Sequence, residues 1–289
     1  MQKVAIVSDS ACDLPGDLAR EAGVELAPVH TIVDGQDYRD RYDLPAQEVY
    51  RALQQGRTVS TAGASGEDFL EAYQRALERA ESVVCLSIGP SLSVTYRNAL
   101  AAREVLEEAD ITVVDSRTVL APQGLGALAA ARAAQQGAGK EEVLALVERL
   151  LGRSGMLFTA QTLRHMARGG RLRAGQAEEA AGEPGEDGPR AVLRVAADGW
   201  HPVAQAPTRE ESVELLLRLL QADLEALGWH PGDPLRLVVD QALCEEEAAA
   251  LLERLRRTWR VEESFLWEVS PTAGVHLGPG TLGVAYQLP

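Results

Sequence analysis

The feature that most constrains this chain is the regular alternation of two kinds of segment between residues 3 and 151. Short apolar runs alternate with longer amphipathic segments of helical period, a pattern typical of parallel strands joined by crossover helices. Strands are predicted at 3–8, 24–33, 82–88 and 111–115. We therefore expect an α/β/α domain with a parallel sheet over residues 1–152.

The helices between these strands carry ordinary capping signals. The tripeptide Asp-Leu-Pro occurs at 13–15 and at 43–45, each time before an amphipathic segment that ends near a glycine. Proline is favoured in the first turn of a helix and glycine just after its end. Ser65 and Asp68 have the spacing of a capping box for a further helix. These signals predict helix starts near residues 16, 46 and 66.

The second half of the chain has a different pattern of predicted strands and helices. Residues 173–190 are acidic, contain Gly and Pro and have few apolar side chains, which predicts an exposed or disordered loop. A strand pair at 191–206 then surrounds an Asp-Gly turn, and a capped helix follows from Thr208 to about 227. Hairpins mixed with helices predict a second, mixed-sheet α/β domain over residues 153–289.

Charge and cysteine content exclude several classes of partner. The chain has 43 acidic and 28 basic residues, a net charge of −15, so it lacks the basic face that nucleic acids and anionic membranes require. No apolar run is long enough for a membrane span, and the first one reads as a strand rather than a signal peptide. Cys12, Cys85 and Cys244 are too far apart to indicate a disulfide framework or a metal site. We expect a cytoplasmic protein without a metal.

Four loops of the first half are rich in hydroxyl side chains. They lie at residues 8–10, 60–65, 89–95 and 115–118. Loops at the carboxyl ends of parallel strands gather along one edge, where ligands bind. Hydroxyl residues at helix starts also accompany free backbone N–H groups, which attract anions. The same residues are ordinary helix caps, so both interpretations stay open, but four such loops favour an anion site.

Two segments of the second half combine glycines with a polar side chain. Gly169 and Gly170 are expected to end a helix in a left-handed turn, which leaves Arg171 free to bind a carboxylate or phosphate, or to be solvated. His165, on that helix, is expected to be exposed. The second segment, residues 271–280, places His276 among glycines and a proline. Such backbone geometry is costly, so a structural and a functional role for this histidine are equally open.

Signatures of common enzymes are missing from the sequence. There is no GxSxG elbow, no Walker A loop, no HExxH, no CxxC and no GxGxxG after the first strand. Two acidic pairs, Asp9 with Asp13 and Asp34 with Asp37, have no histidine or third carboxylate nearby. We predict turn and capping roles for them, and a binding protein rather than an enzyme.

Six segments, taken in order, resemble the DegV family of bacterial fatty-acid-binding proteins, which are the substrate-carrying subunits of a fatty acid kinase. The segments are SDSACDLP at 8–15, the loop and helix at 61–69, LSVTY at 92–96, DSR at 115–117, the segment 163–172 that contains GGR, and HLGPG at 276–280. Each motif is weak alone. Six in the family's order make the resemblance specific.

The resemblance implies two α/β domains with an acyl chain in the cleft between them. Carried over by position, Thr61 and Ser93 would bind the carboxylate, with the backbone N–H of Ala62 close by and His276 approaching from the second domain. Ala62 stands where the family has a serine, so we expect one hydroxyl fewer at the head group.

The same resemblance assigns three supporting positions. Arg171, with Gly170 beside it, matches a segment that in the family lies near the head group and works with the kinase. Gly278 is the first glycine of the HxGPG motif. Val94 replaces a family glycine, and we expect its backbone to be less free.

The ligand implied is a long-chain fatty acid, with no cofactor and with a separate kinase that supplies ATP. The Ala, Leu and Val residues of 99–151 are expected to line its tunnel. The alternative is a small-substrate kinase-like or phosphotransfer enzyme, because the dihydroxyacetone kinase substrate domain is related in fold and holds its ligand with a histidine.

Overall fold

The computed structural model describes residues 2–172, 175 and 189–289. The first half of the chain alternates strands and helices. In chain order these are β1 (Gln2–Asp9), α1 (Gly16–Ala22), β2 (Val24–Ala27), β3 (His30–Val33), β4 (Gln36–Arg39), α2 (Ala46–Gln54), β5 (Val59–Ala62), α3 (Gly66–Leu77), β6 (Ala80–Ser87), α4 (Thr95–Val105), β7 (Asp110–Asp115), α5 (Ala121–Gln135) and α6 (Lys140–Leu151).

The second half builds a mixed sheet covered by two long helices. Its described elements are β8 (Ser154–Ala160), α7 (Arg164–Arg168), β9 (Arg190–Ala196), β10 (Gly199–Ala206), α8 (Arg209–Ala226), β11 (Leu235–Gln241), α9 (Glu245–Thr258), β12 (Val261–Glu268), α10 (Pro271–Leu277) and β13 (Leu282–Gln287). The strand order is β10-β9-β8-β13-β11-β12, with β11 and β12 parallel and the other neighbours antiparallel.

The predicted fold class is confirmed. Strands β2-β1-β6-β7 form a parallel sheet in that order, the hairpin β9-β10 and helix α8 lie where they were predicted, and Ser65 forms the expected capping box with Asp68. The domain boundary at residues 152 and 153 stays a prediction; it falls in the turn between α6 and β8. Most of the predicted acidic loop, residues 173, 174 and 176–188, lies outside the described residues.

The single strand predicted at 24–33 is wrong, because the chain changes sheets in its middle. Ala27 pairs with Asp9 in the parallel sheet, and Pro28 follows without an N–H to continue the ladder. The next strand, β3, pairs with β4 and β5 in a three-stranded antiparallel sheet. Sequence reasoning missed this small sheet, and its edge strand β5 carries Thr61.

The two halves share one hydrophobic core. The central strand β1 is an apolar run with Val4–Val7 fully buried, and α5 is buried over most of its length, as expected for a sheet covered on both faces. Buried side chains continue from there without interruption to Val269 and Leu277 of the second half. A second core lies between the mixed sheet and helices α8 and α9. The shared core therefore packs the two halves against each other.

A buried group of charged side chains joins the halves beside that core. Asp13 Oδ1 accepts hydrogen bonds from the Ser270 N–H at 3.1 Å and from Arg41 Nη2 at 3.3 Å. Asp40 Oδ1 accepts from the backbone N–H of Thr272 at 2.9 Å and from its hydroxyl at 3.0 Å. Two carboxylates of the first half thus bind the N-terminus of α10.

Asp9 and Asp13 occupy the predicted turn, since they flank the short 3-10 turn Ser10–Cys12 and Asp13 has a left-handed φ of 53°, but their carboxylates also bind distant groups. Both are fully buried, and Asp9 accepts from the backbone N–H of Ile88 at 2.8 Å. Each carboxylate binds an N–H group that is distant in sequence, which local spacing does not reveal. Asp34 does occupy a turn, with a φ of 50° between β3 and β4. Asp37 lies in β4 and contacts His30 at 2.9 Å.

Asp240, on β11, lies beside the same buried group, with Asp13 and Arg41 as its charged neighbours. It is fully buried, and neither carboxylate oxygen has a hydrogen-bond partner among the described residues. Burial and the neighbouring Asp13 raise its pKa well above the ordinary value. In the folded protein, Asp240 therefore keeps its proton at pH values at which the same side chain is ionised in the unfolded chain. This linkage costs stability increasingly as pH rises from the unfolded pKa toward the folded one.

We predict that Asp240→Asn stabilises the protein, and more so at pH 8 than at pH 5. The amide imitates the neutral acid without the cost of holding a proton, and Arg41 keeps Asp13 and Asp40 as counter-ions. The free energy of unfolding should rise by on the order of 2 kcal/mol at pH 8, measured by urea titration at both pH values. Exposed Asp17 is the control, since Asp17→Asn should show no such pH-dependent gain. A loss of stability at pH 8 would contradict the assignment.

Candidate functional site

A cavity of about 450 Å³ lies where the two halves meet. One part of its wall is formed by residues that follow the four parallel strands, namely Ala11, Val29, Ile88 and Val119. These residues are distant in sequence, but the carboxyl ends of parallel strands share one edge of the sheet. The second half contributes Arg171, Trp200 and residues of α10. The cavity therefore has an apolar interior and a polar side.

Thr61 and His276 meet at the polar side. Thr61 Oγ1 lies 3.0 Å from Nε2 of His276, and both residues line the cavity together with Ala62. Thr61 belongs to strand β5 rather than to a helix-capping loop. Its side chain is presented to the cavity by the antiparallel pairing of β5 with β3. The structure thus brings together three of the predicted site residues.

Ser93 hydrogen-bonds the first residue of α4 and also lines the cavity. Its Oγ accepts from the Thr95 N–H at 3.2 Å at the start of α4 and lies 2.8 Å from Thr95 Oγ1. Gly63 allows this loop to approach Thr61, because a Cβ at Gly63 would lie 2.5 Å from Thr95 Oγ1. Val94 has a φ of −71°, an ordinary helical value. That the Val94 backbone is less free than that of a glycine stays a prediction, and the φ it adopts here is open to any residue.

His276 is neutral at physiological pH. Burial, together with the nearby Arg171 cation, lowers its pKa to about 3. A neutral imidazole has one N–H donor and one acceptor nitrogen. Nε2 faces Thr61, whereas Nδ1 is buried without a hydrogen-bond partner among the described residues. Cationic charge at the site therefore comes from arginine and not from this histidine.

Two glycines position the histidine segments. A Cβ at Gly169 would lie 2.0 Å from Nδ1 of His276, so only glycine fits against the ring. Gly278 has a φ of 78°, and a Cβ there would lie 2.4 Å from the ring of His165. His165 is half-buried against this glycine, in contrast to the exposed position predicted for it. Gly170 adopts the predicted left-handed turn, with a φ of 66°.

Arg171 is a cationic residue that lines the cavity. It is partly buried, and burial lowers its pKa. Its Nη1 donates to the carbonyl oxygen of Gly169 at 3.3 Å, but no carboxylate lies within ion-pair distance in the part of the chain that the structure describes. A buried charge is costly unless it is paired. The arginine is thus suited to an anionic group of a ligand in the cavity.

Sequence reasoning missed three lining residues: Arg97, Trp200 and Thr272. Arg97 lies in α4, four residues after Ser93. This helical spacing could have indicated from the sequence that the two side chains lie on the same side of the helix. Trp200 had no such signal, because its place depends on contacts between the two halves, whereas Thr272 lies in the segment 271–280 that already stood out in the sequence. Residues 99–151 were expected to line the tunnel of the acyl chain. Of these, only Val119 lines this cavity, because α5 packs into the core instead.

In residues 2–172 and 189–289, no group of three or more His, Cys, Asp or Glu side chains is arranged to hold a metal ion. Among the described helices, none combines the length and the apolar character that crossing a bilayer requires.

We predict that Gly169→Ala breaks the contact between His276 and Thr61. The added methyl group would overlap the imidazole, so the ring must move away from β5. A crystal structure of the variant, or a changed imidazole NMR signal of His276, would report the displacement. Gly66→Ala is the control, because a Cβ at Gly66 would meet nothing within 4 Å. An unchanged ring position in the Gly169 variant would refute this packing role.

Comparison with known proteins places this geometry in a family. A sequence model described as an uncharacterised protein of the DegV family matches residues 3–288. A DegV domain-containing protein of Deinococcus radiodurans is 30% identical over 286 residues and covers 98% of both chains. One from Clostridium perfringens is 29% identical over 292 residues, which is 99% of this chain and 98% of the relative.

Solved structures show the same architecture. A DegV family protein from Thermus thermophilus, described for its fatty acid binding, superposes with a TM-score of 0.89 at 29% identity over 100% of both chains. A fatty acid binding protein from Bacillus subtilis has a TM-score of 0.86 at 23% identity over 100% of both chains, which indicates a shared fold. The match across nearly the whole sequence, with these relatives, shows that the chain belongs to the DegV family.

Proposed function

We propose that this protein binds a long-chain fatty acid, with the carboxylate at the polar side of the cavity and the acyl chain in its apolar interior. The observation that carries the proposal is the convergence of Thr61, Ser93, His276 and Arg171 on a cavity that also has apolar lining residues. The Thermus thermophilus protein, similar over its full length, is described as a fatty acid binder.

The head group would be held mainly by neutral donors. Thr61 and Ser93 offer hydroxyl groups, and the start of α4 adds the positive end of a helix dipole. Arg171 supplies positive charge, while Ala62 contributes a methyl group to the wall where the family resemblance led us to expect a hydroxyl. Gly170 and Gly278 support the site by shaping the turns that follow α7 and α10.

Most of the affinity would come from the tail. Burying one methylene contributes about 0.8 kcal/mol, so a chain of about fourteen methylenes contributes on the order of 11 kcal/mol before the costs of association. A net hydrogen bond to a charged carboxylate contributes roughly 1.5–3 kcal/mol. The tail therefore provides affinity, and the polar wall determines which end of the ligand lies there.

Solvent extraction of the purified protein followed by mass spectrometry tests the proposal. We expect recovery of fatty acids, and saturable binding of palmitate and oleate by the delipidated protein. Failure to recover any fatty acid, together with no binding of either acid, would refute the proposed function.

We predict that Thr61→Val weakens fatty acid binding by roughly ten- to a hundredfold, because it removes one hydrogen bond to a charged carboxylate. Isothermal titration would compare the acid with the long-chain alcohol of equal length, whose binding should change much less. Thr258→Val, at an exposed helix end, is the matched control and should bind like the natural protein. Equal losses for acid and alcohol would contradict a carboxylate contact at Thr61.

The proposal extends to a separate kinase that phosphorylates the bound carboxylate. A second cleft of about 370 Å³ adjoins the first and shares Thr61, Arg171 and His276 with it. Arg57 and Arg168 also line this cleft, so it would suit the phosphate groups of an incoming nucleotide. On this proposal the chain is a carrier in the cytoplasm, in keeping with its three free cysteines.

Incubation with labelled ATP and fatty acid tests the division of labour. The protein alone should form no acyl phosphate, and product should appear only when a fatty acid kinase catalytic subunit is added. ATP-dependent phosphorylation of the fatty acid by this chain alone would refute the carrier role, and turnover of a small substrate would favour the phosphotransfer alternative.

A further inference from the structure

His30, the first residue of β3, lies between two carboxylates that belong to different elements. Its Nδ1 is 2.9 Å from Oδ1 of Asp37 in β4, and its Nε2 is 3.0 Å from Oδ2 of Asp68 in α3. The histidine side chain is only 15% exposed. Both nitrogens of a largely buried ring are therefore in contact with acidic groups.

The chemistry of these contacts determines the charge of the ring. An ionised carboxylate only accepts hydrogen bonds, and only the imidazolium form of histidine has an N–H at both nitrogens. Oδ2 of Asp68 also accepts from the backbone N–H of Ser65 at 2.7 Å and from the Ser65 hydroxyl. Burial by itself would lower the pKa of His30, but the hydrogen bonds with Asp68 and Asp37 outweigh burial and raise it above the ordinary value. His30 therefore keeps its second proton at pH values at which an exposed histidine is neutral.

The contact with Asp68 lies beside a wall of the cavity. His30 pairs with Ala62, the last residue of β5, and the pairing of β3 with β5 ends there. Asp68 caps the start of α3. The loop 62–65, which joins β5 to α3, is thus connected to His30 at both of its ends. Ala62 and Gly63 of this loop line the cavity.

We propose that His30 is a positioning residue: as an imidazolium it connects β3 to α3 and holds loop 62–65 in place against the head group of the ligand. The inference rests on the proposed function, because that head group is the carboxylate of a fatty acid. When His30 loses a proton, one of its two carboxylate neighbours faces a nitrogen lone pair, and a charge-assisted hydrogen bond is lost. Fatty acid affinity should therefore decrease as pH rises through the pKa of His30.

The charged groups around His30 come from β4, from the turn after it and from α3. They are Asp37, Arg39, Asp43, Asp68 and Glu71. Arg39, the cross-strand neighbour of His30, is bound to Asp43 through two guanidinium nitrogens at 2.9 and 3.1 Å. Strand β5 carries no ionisable side chain, and α10 adds His276, which burial and Arg171 keep neutral with a pKa of about 3. Among these residue types only histidine ordinarily titrates between pH 5 and 8, so His30 is the group that responds to pH.

The sign of the effect follows from linkage. A basic group whose pKa is raised by the folded structure contributes stability that is complete below its unfolded pKa and is lost as pH rises through its folded pKa. The contribution of His30 to the position of the loop is therefore present at pH 6 and decreases above it. Because coupling between two sites is reciprocal, a bound fatty acid should in turn raise the pKa of His30.

Proton NMR of the histidine rings tests the proposal in the ligand-free protein. The chain has five histidines, and the signals of His30 are assigned by their absence in His30→Gln. We expect His30 to titrate above the ordinary value of about 6.5, and the amide signals of Gly63 and Ser65 to shift with the same midpoint. A His30 that titrates at or below the ordinary value, or loop amides that do not follow it, would overturn the proposal whether or not the protein binds fatty acids.

Asp37→Asn is a further variant for the same titration. Asp37 is exposed and does not line the cavity, so this change removes one carboxylate from His30 without altering the wall. The midpoints of His30 and of the loop amides should both move to lower pH. An unchanged midpoint would overturn the role of the two carboxylates.

Palmitate binding by the natural protein and by His30→Gln, measured at pH 6 and pH 9, provides the second arm. The comparison of two proteins at each pH cancels the effect of pH on the ligand itself. The natural protein should bind about tenfold more tightly than the variant at pH 6 and less than about threefold more tightly at pH 9. A ratio that is the same at both pH values in a folded variant would overturn the proposal. Absence of binding by the natural protein would refute the proposed function, whereas the loop amides still decide whether His30 holds the loop.

His230→Gln is the matched control. His230 is exposed in the turn after α8 and lines neither of the two clefts described above. This control should leave the palmitate affinity and its pH dependence unchanged. A change equal to that of His30→Gln would show a general effect of removing a histidine and would overturn the specific assignment.

Discussion

The position of the site depends on two buried carboxylates that bind the N-terminus of α10. A helix of seven residues is too short to be stable alone, yet this one carries His276. Asp13 and Asp40 of the first half accept hydrogen bonds from the N–H groups of Ser270 and Thr272, where the helix dipole is positive. The ionic group therefore attaches α10 to the first half and sets the distance between the histidine and β5.

Glycines then allow the elements to approach each other. Gly274 of α10 packs against Tyr50 of α2, since a Cβ at that glycine would lie 2.6 Å from the tyrosine ring. Gly169 likewise lets the backbone lie against the imidazole of His276, and Gly63 lets the backbone lie against the loop of Ser93. These are close approaches of backbone to side chain rather than flexible hinges. The polar wall is consequently assembled by contacts that leave no room for a larger residue.

The electrostatic character of the cavity is opposite to that of the protein as a whole. A chain of net charge −15 places Arg171 and Arg97 at this cavity, and Arg171 has no carboxylate partner in the described parts of the chain. The histidine stays neutral chiefly because burial lowers its pKa, and further because a second positive charge beside Arg171 would be unfavourable. Cationic arginines together with several neutral donors suit a monovalent acid with an apolar tail.

Sequence reasoning alone identified the α/β class, most strands of the parallel sheet and the two segments that contain Arg171 and His276. These features are encoded by periodicity, caps and turn residues within a few positions of each other. The strand β5, the buried roles of Asp9 and Asp13, and the contribution of Trp200 were not predictable in this way. Each depends on partners far away in sequence.

The contact of Thr61 with His276 illustrates the difference, since it joins residues 215 positions apart. The sequence by itself determined which residue types were available and which short segments resembled a ligand-binding family. Only the tertiary structure decided that β3 leaves the parallel sheet, that α10 is held by buried carboxylates, and that Nδ1 of His276 lies against Gly169. The physical reason is that local patterns select backbone conformation, whereas packing between distant segments decides which polar groups are buried together and which remain to bind a ligand.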